Sequence, residues 1–203
     1  MLLSMASKRR SGEIMGYPIE TSFDTSGENI QRRELYSMNE FAEAEPPGGT
    51  IWTLFKTWKS LSLGGRIPLA QDVLTDNTNT IALDGQTTLI DVADPNPWNF
   101  SFMSHWQTSY PRLGSELTNT QVSQYPCSMH AKALMSEYFM ARENGEPVYH
   151  EIEQLIFGIS RHYRRLILPL TDTENRVTKL IVGVRAIRPA VQITASQEKL
   201  LMN

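Results

Sequence analysis

The last third of the chain decides most of what it can fold into. Three apolar, β-rich runs follow one another: PVYHEIEQLIF at 147–157, HYRRLILPL at 162–170 and RVTKLIVGVRAI at 176–187. They are joined only by GISR and by TDTENR, whose Arg176 also opens the last run. Parallel pairing needs a crossover of a dozen or more residues, so these strands must be antiparallel neighbours. Leu180 to Val184 in the last run is apolar on both faces, the pattern of a central strand covered on two sides. Pro169 cannot donate a ladder hydrogen bond, which places it near a strand end or at a bulge just before the turn.

A sheet with two apolar faces needs two covers. One is a helix from about Pro126 to Arg142, with Met129, Leu134, Met135, Tyr138 and Phe139 as its apolar residues. Proline suits its first turn and Asn144-Gly145 its stop. The other cover is TIWTLFKTWKSLSLGG, where Thr50 can cap a helix and Gly64-Gly65 can end it. Ile51, Leu54, Phe55, Trp58 and Leu61 fall on one stripe, with Trp52 beside it and Lys56 and Lys59 away from it. Such a surface needs an apolar partner. Trp52, Phe55 and Trp58 are therefore expected to form an interface, with the chain's own sheet or across a dimer.

The remaining segments fill in the order. Ile30, Leu35, Met38 and Phe41 have loose helical spacing, which predicts a weakly amphipathic helix over 26–44, ended by Pro46 to Gly49. RIPLAQDVL holds a small helix, and IALDGQTTLIDV places Ile81, Leu83, Leu89 and Ile90 around Asp84-Gly85. Asp94 to Pro97 is a turn, after which Trp98, Phe100 and Phe102 should face one way and Asn99, Ser101 and Met103 the other. Residues 105–125 read as short helical turns. The expected fold is α+β: a five-stranded antiparallel sheet with helices on one face and an N-terminal helix on the other. The expected organisation is a tail at 1–25, a helical extension at 26–66, the sheet domain at 67–190 and a C-terminal tail at 191–203.

Composition narrows the classes. At 203 residues with 40% hydrophobic and 20% charged residues, the chain suits one globular core with extensions. A net charge of -3 and a pI near 5.8 provide no global field for nucleic acid. Cys127 is the only cysteine, so no internal disulfide can form and a reducing compartment fits. The start MLLSMASKRR places its charges after a very short apolar run, the reverse of a secretory signal, and no run approaches the roughly 18 apolar residues of a membrane span. The expectation is a cytoplasmic protein that binds neither nucleic acid nor membrane.

The order of helix, two strands, short helices, longer helix and three antiparallel strands resembles the PAS domain family. WKSLSLGGRIPL, WNFSFMSHWQTS and HYRRLILPL are similar to the corresponding stretches of stand-alone bacterial PAS proteins, and LPLTDTENRVTKLIVGVRAI resembles the family's last two strands. The likeness spans roughly 51–188 and makes 67–190 a PAS-like sensor domain. It departs at Gln107, where glycine is expected after His105-Trp106. The resemblance implies a sensory or signalling role, a homodimer, a signalling protein as partner, and often a small ligand between sheet and helices.

On that reading Phe100, Phe102, His105, Trp106, Met129, Leu134 and Tyr138 are the candidate ligand-binding residues, with Phe100 and Phe102 equally suited to plain core packing. The ligand stays open: haem, held through His105 or through His130 on the long helix, or another small apolar molecule. His130 is otherwise expected as a partly exposed helix residue. The Asn-Cys-Arg-Phe-Leu setting of flavin photosensors is missing around Cys127, which argues against flavin photochemistry. Glu151 and Glu153 share a strand face and are expected to meet solvent, paired across strands with Arg161, Arg164 or Arg165. No phosphate loop, dinucleotide fingerprint, zincin helix or nucleophile elbow is present. The expected function is non-catalytic sensing with output through another protein. The alternatives are a ligand-free dimerisation scaffold and a small enzyme using His105 as base.

Overall fold

A computed structural model describes residues 22–23, 29–35, 41, 44–74, 87–104, 117–156 and 158–192. Its elements in chain order are β1 (Ser22–Phe23), β2 (Asn29–Leu35), α1 (Thr50–Leu61), α2 (Ala70–Val73), β3 (Thr87–Asp91), β4 (Ser101–Ser104), α3 (Ser128–Asn144), β5 (Val148–Ile156), β6 (Ile159–Thr171) and β7 (Val177–Gln192). The strands form one sheet in the order β1-β2-β5-β6-β7-β3-β4, and every pairing is antiparallel. Strands β3 to β7 are the expected five, and with helices covering both faces they make the expected α+β fold.

Strand β2 corrects the expectation of a helix over 26–44 for residues 29–35, while Phe41 and Ala44 are helical as expected. It pairs with β5, and a register shift between Gln31 and Arg33 absorbs one residue. Ile30 and Leu35, five apart in sequence, thereby stand opposite Gln154 and His150, four apart. The bulge hides a period of two behind an odd spacing that imitates a helix.

The C-terminal hairpin answers its own polar link. Asp172 Oδ1 accepts from the backbone N–H groups of Glu174 (2.8 Å) and Arg176 (3.0 Å), and Asn175 adopts a φ of 59°. The Arg176 N–H, followed by its side chain, holds the Asp172 carboxyl below the usual carboxylate range. Pro169 pairs with Leu180, next to a register shift at Leu170/Thr171. It lies beyond the last β5 pair, Val148↔Ile167, so its missing N–H leaves no gap in the β5 ladder.

Two cores lie on the two faces. Helix α1 covers one face through Ile51, Leu54, Phe55 and Trp58, which pack with Leu166, Leu168, Leu170 and Ile181. The Trp58 indole donates to the Pro169 carbonyl at 2.7 Å. Gly183 permits the approach: a Cβ there would stand 3.1 Å from Leu54 Cδ2 and 3.4 Å from Ile51 Cγ1. Leu61, placed on the stripe by its spacing, ends the helix and is exposed. Helix α3 covers the opposite face, packing with Ile90, Phe100, Phe102, Ile167, Leu180 and Val182. It begins two residues after Pro126, with Cys127 Sγ accepting from the His130 N–H at 3.4 Å, and ends at Gly145 with φ 64°.

Trp98 does not join the aromatic strand face as expected. It sits in the one-turn helix Pro97–Asn99, whose Asn96 side chain accepts from the Trp98 N–H, and its side chain is exposed. No described helix is long and apolar enough to cross a membrane.

Candidate functional site

The space between α3 and the sheet gathers four of the expected ligand-binding residues. Phe100 and Phe102 enter from β4 and the turn before it, Leu134 and Tyr138 from α3, and all four are buried in one core. Burial pushes the Tyr138 hydroxyl above its ordinary range. Met129 is half-buried and bridges towards Ile152 and Tyr163 at the far end of the face. His105 and Trp106, with Gln107, lie outside the described residues.

His130 is buried, not partly exposed as expected. The turn Val122–Gln124 carries Tyr125 back over the start of α3, where its ring lies 4.7 Å from the His130 ring. The turn residues before a helix therefore covered a position that helical spacing alone leaves at the margin.

The most unusual chemistry on this face escaped sequence reasoning. Arg165 Nη2 donates to Glu137 Oε2, and His150 Nδ1 stands 3.7 Å from the same oxygen. The three side chains are only 3%, 8% and 6% exposed, respectively for Arg165, Glu137 and His150. Two of them, His150 and Arg165, are direct cross-strand partners on β5 and β6, while Glu137 descends from α3. A signal for it existed. Glu137 lies seven residues from His130 and three from Leu134, on the buried stripe of α3. Arg165 alternates with Tyr163 and Ile167, which both face α3.

Charge on the opposite face follows a different plan. Glu151 and Arg164 are direct partners, and Arg164 Nε donates to Glu151 Oε2 at 2.9 Å. His162 Nε2 lies 2.6 Å from Glu151 Oε1, so Glu151 is half-buried rather than bathed in solvent. Adjacent residues on a strand point to opposite faces, so Arg164 serves Glu151 while Arg165 serves Glu137. The expected interface residues also face this side: Phe55 and Trp58 are buried against the chain's own sheet. Trp52 is half-buried, with Lys56 Nζ 4.3 Å from its ring centroid. Among the described residues, no group of three or more His, Cys, Asp or Glu side chains is arranged to hold a metal ion.

No protein-family model matches the chain. No curated protein matches it. Among solved structures, a light-oxygen-voltage domain, from work with a flavin analogue, aligns over 64% of this chain and 93% of its own. The identity is 15% and the TM-score 0.38.

Proposed function

We propose that this chain is a sensory or signalling protein of the stand-alone bacterial PAS type, cytoplasmic and homodimeric. It would have no catalysis of its own and pass its output to another protein. One observation supports the reading most: the buried Glu137–Arg165 pair that ties α3 to the sheet. A buried ion pair adds little net stability compared with apolar packing, so stability alone is a poor reason for it. It does offer a polar anchor inside an apolar interior, the composition of a small-molecule site. A ligand packed against Phe100, Phe102 and α3, haem or another small apolar molecule, would change how α3 sits on β6 and β7. The same two strands carry α1 on their other face, so the docking of α1 would respond.

A second reading, a ligand-free dimerisation scaffold, is favoured by the packing of the same residues. Phe100, Phe102, Leu134 and Tyr138 are enclosed by the chain's own side chains, none of them more than 4% exposed. Freshly purified protein separates the two readings through its absorbance spectrum and a comparison of native with denaturing mass. A bound mass, or a band in the haem region, supports the sensor. A clean apo mass at the dimer weight supports the scaffold, and an apo monomer refutes both.

A further inference from the structure

The segment just before α1 places one carboxylate in an unusual position. The Glu45 side chain is fully enclosed, while the two arginines around it keep 19% (Arg164) and 27% (Arg185) of their own side chains exposed. Arg185 grips it with two bonds, Nε to Oε2 at 2.8 Å and Nη2 to Oε1 at 3.1 Å. The Tyr149 hydroxyl donates to Oε1 at 2.5 Å, and Arg164 Nη1 lies 3.7 Å from the same oxygen. Burial, then the bond to Glu45, pushes the Tyr149 hydroxyl above its ordinary range. The two donors and the nearby Arg164 cation all belong to the sheet: Tyr149 to β5, Arg164 to β6 and Arg185 to β7.

Arg164 and Arg185 are direct cross-strand partners. Like charges placed opposite one another destabilise a sheet; Arg164 is bonded to Glu151, and a second anion beside Arg185 offsets the remaining repulsion. A guanidinium gripping through two bonds and a phenol are a donor set matched to a carboxylate, and a second guanidinium alongside adds charge. The anion comes from outside the sheet, on a residue that precedes α1. The Phe41 ring packs 4.5 Å from Phe55 and 4.8 Å from Tyr149, and the Ala44 carbonyl accepts from Arg164.

We propose that Arg185, Arg164 and Tyr149 form a carboxylate-binding site on the α1 face of the sheet, whose resident ligand is the chain's own Glu45. Displacement of Glu45 would then open the site to a carboxylate supplied in trans. This stands apart from any ligand on the α3 face and does not depend on one.

The test is chemical rescue. Glu45→Ala should lower the melting temperature, and propionate should raise it again by several degrees in a saturable way. Sodium chloride at equal ionic strength should not, nor should propionate act on the wild type, where Glu45 fills the site, or on the double variant E45A/R185M. Adding N-acetylglutamate amide distinguishes the source. A larger shift than with propionate assigns the site to the acidic side chain of a peptide, and a smaller one to a small free acid. If E45A is recovered unfolded, it is refolded in propionate and in chloride side by side. Folded protein only in propionate supports the proposal. Equal responses to propionate and chloride, in either format, overturn it.

Discussion

Removing one partner of the Glu137–Arg165 pair should cost far more than removing both. Both side chains are at least nine-tenths enclosed, so a survivor cannot recover its lost partner from water. Breaking such a pair costs about 3–5 kcal/mol, whereas apolar replacement of both members ranges from neutral to stabilising by about 1–4 kcal/mol. For a chain of this size each kcal/mol moves the melting temperature by about 2–4 °C. Arg165→Met alone leaves the Glu137 carboxylate with His150 at 3.7 Å, and should lower the midpoint by roughly 6–20 °C. Glu137→Leu alone leaves a buried guanidinium and should act similarly. The double variant E137L/R165M should return to within about 2 kcal/mol of the parent. Urea denaturation, with the slope checked for constancy, measures all four corners of the cycle. Single variants that each cost under about 1 kcal/mol would show that water reaches the pair. A double variant as unstable as the two losses summed would show that the charges act separately. Either result removes the reasoning that ties this pair to ligand sensing.

Gly183→Val should destabilise by about 1–3 kcal/mol, because its branches overpack Leu54 and Ile51; an unchanged urea midpoint would mean that α1 sits further from β7. Trp58→Phe leaves the Pro169 carbonyl without its indole donor and should cost about 1–3 kcal/mol, read as loss of α1 docking by hydrogen exchange along 50–61. Stability should also fall at alkaline pH. Tyr138 and Tyr149 are both raised above their unfolded value, so their contribution is complete below about pH 10 and is lost above it, as the unfolded state ionises and the folded state does not. Urea midpoints from pH 8 to 11 check the sign, and a midpoint that rises across that range refutes it.

The sheet and its covers were legible because their signals are local and redundant. Short links forced β5, β6 and β7 into antiparallel order, the apolar stripe of α1 required a partner surface, and Gly145 marked the end of α3. Failures came where one residue altered a period. A bulge at Gln31/Arg33 disguised β2 as a helix, and a capping asparagine turned Trp98 out of the aromatic strand. Neither feature has a sequence signature stronger than the pattern that it interrupts.

The charged residues of β6 show why the candidate site was harder to read than the fold. Arg164 and Arg165 are chemically identical neighbours, and composition treats them as one basic cluster. The pleat sends Arg165 into the α3 face, to a glutamate 28 residues earlier in sequence, and Arg164 into the α1 face, towards a carboxylate from before the first helix. Their meaning therefore depends on which segments cover each face, and that is information carried by packing. Parity alone could have separated them, since Arg165 shares its face with Tyr163 and Ile167. Once separated, an arginine on a face otherwise lined by apolar residues demands a buried anion. That demand points to Glu137, the only acidic residue on the buried stripe of α3. The same logic on the other face points to Glu45, because Arg185 stands opposite Arg164, which is bonded to Glu151, and takes Glu45 as its own anion.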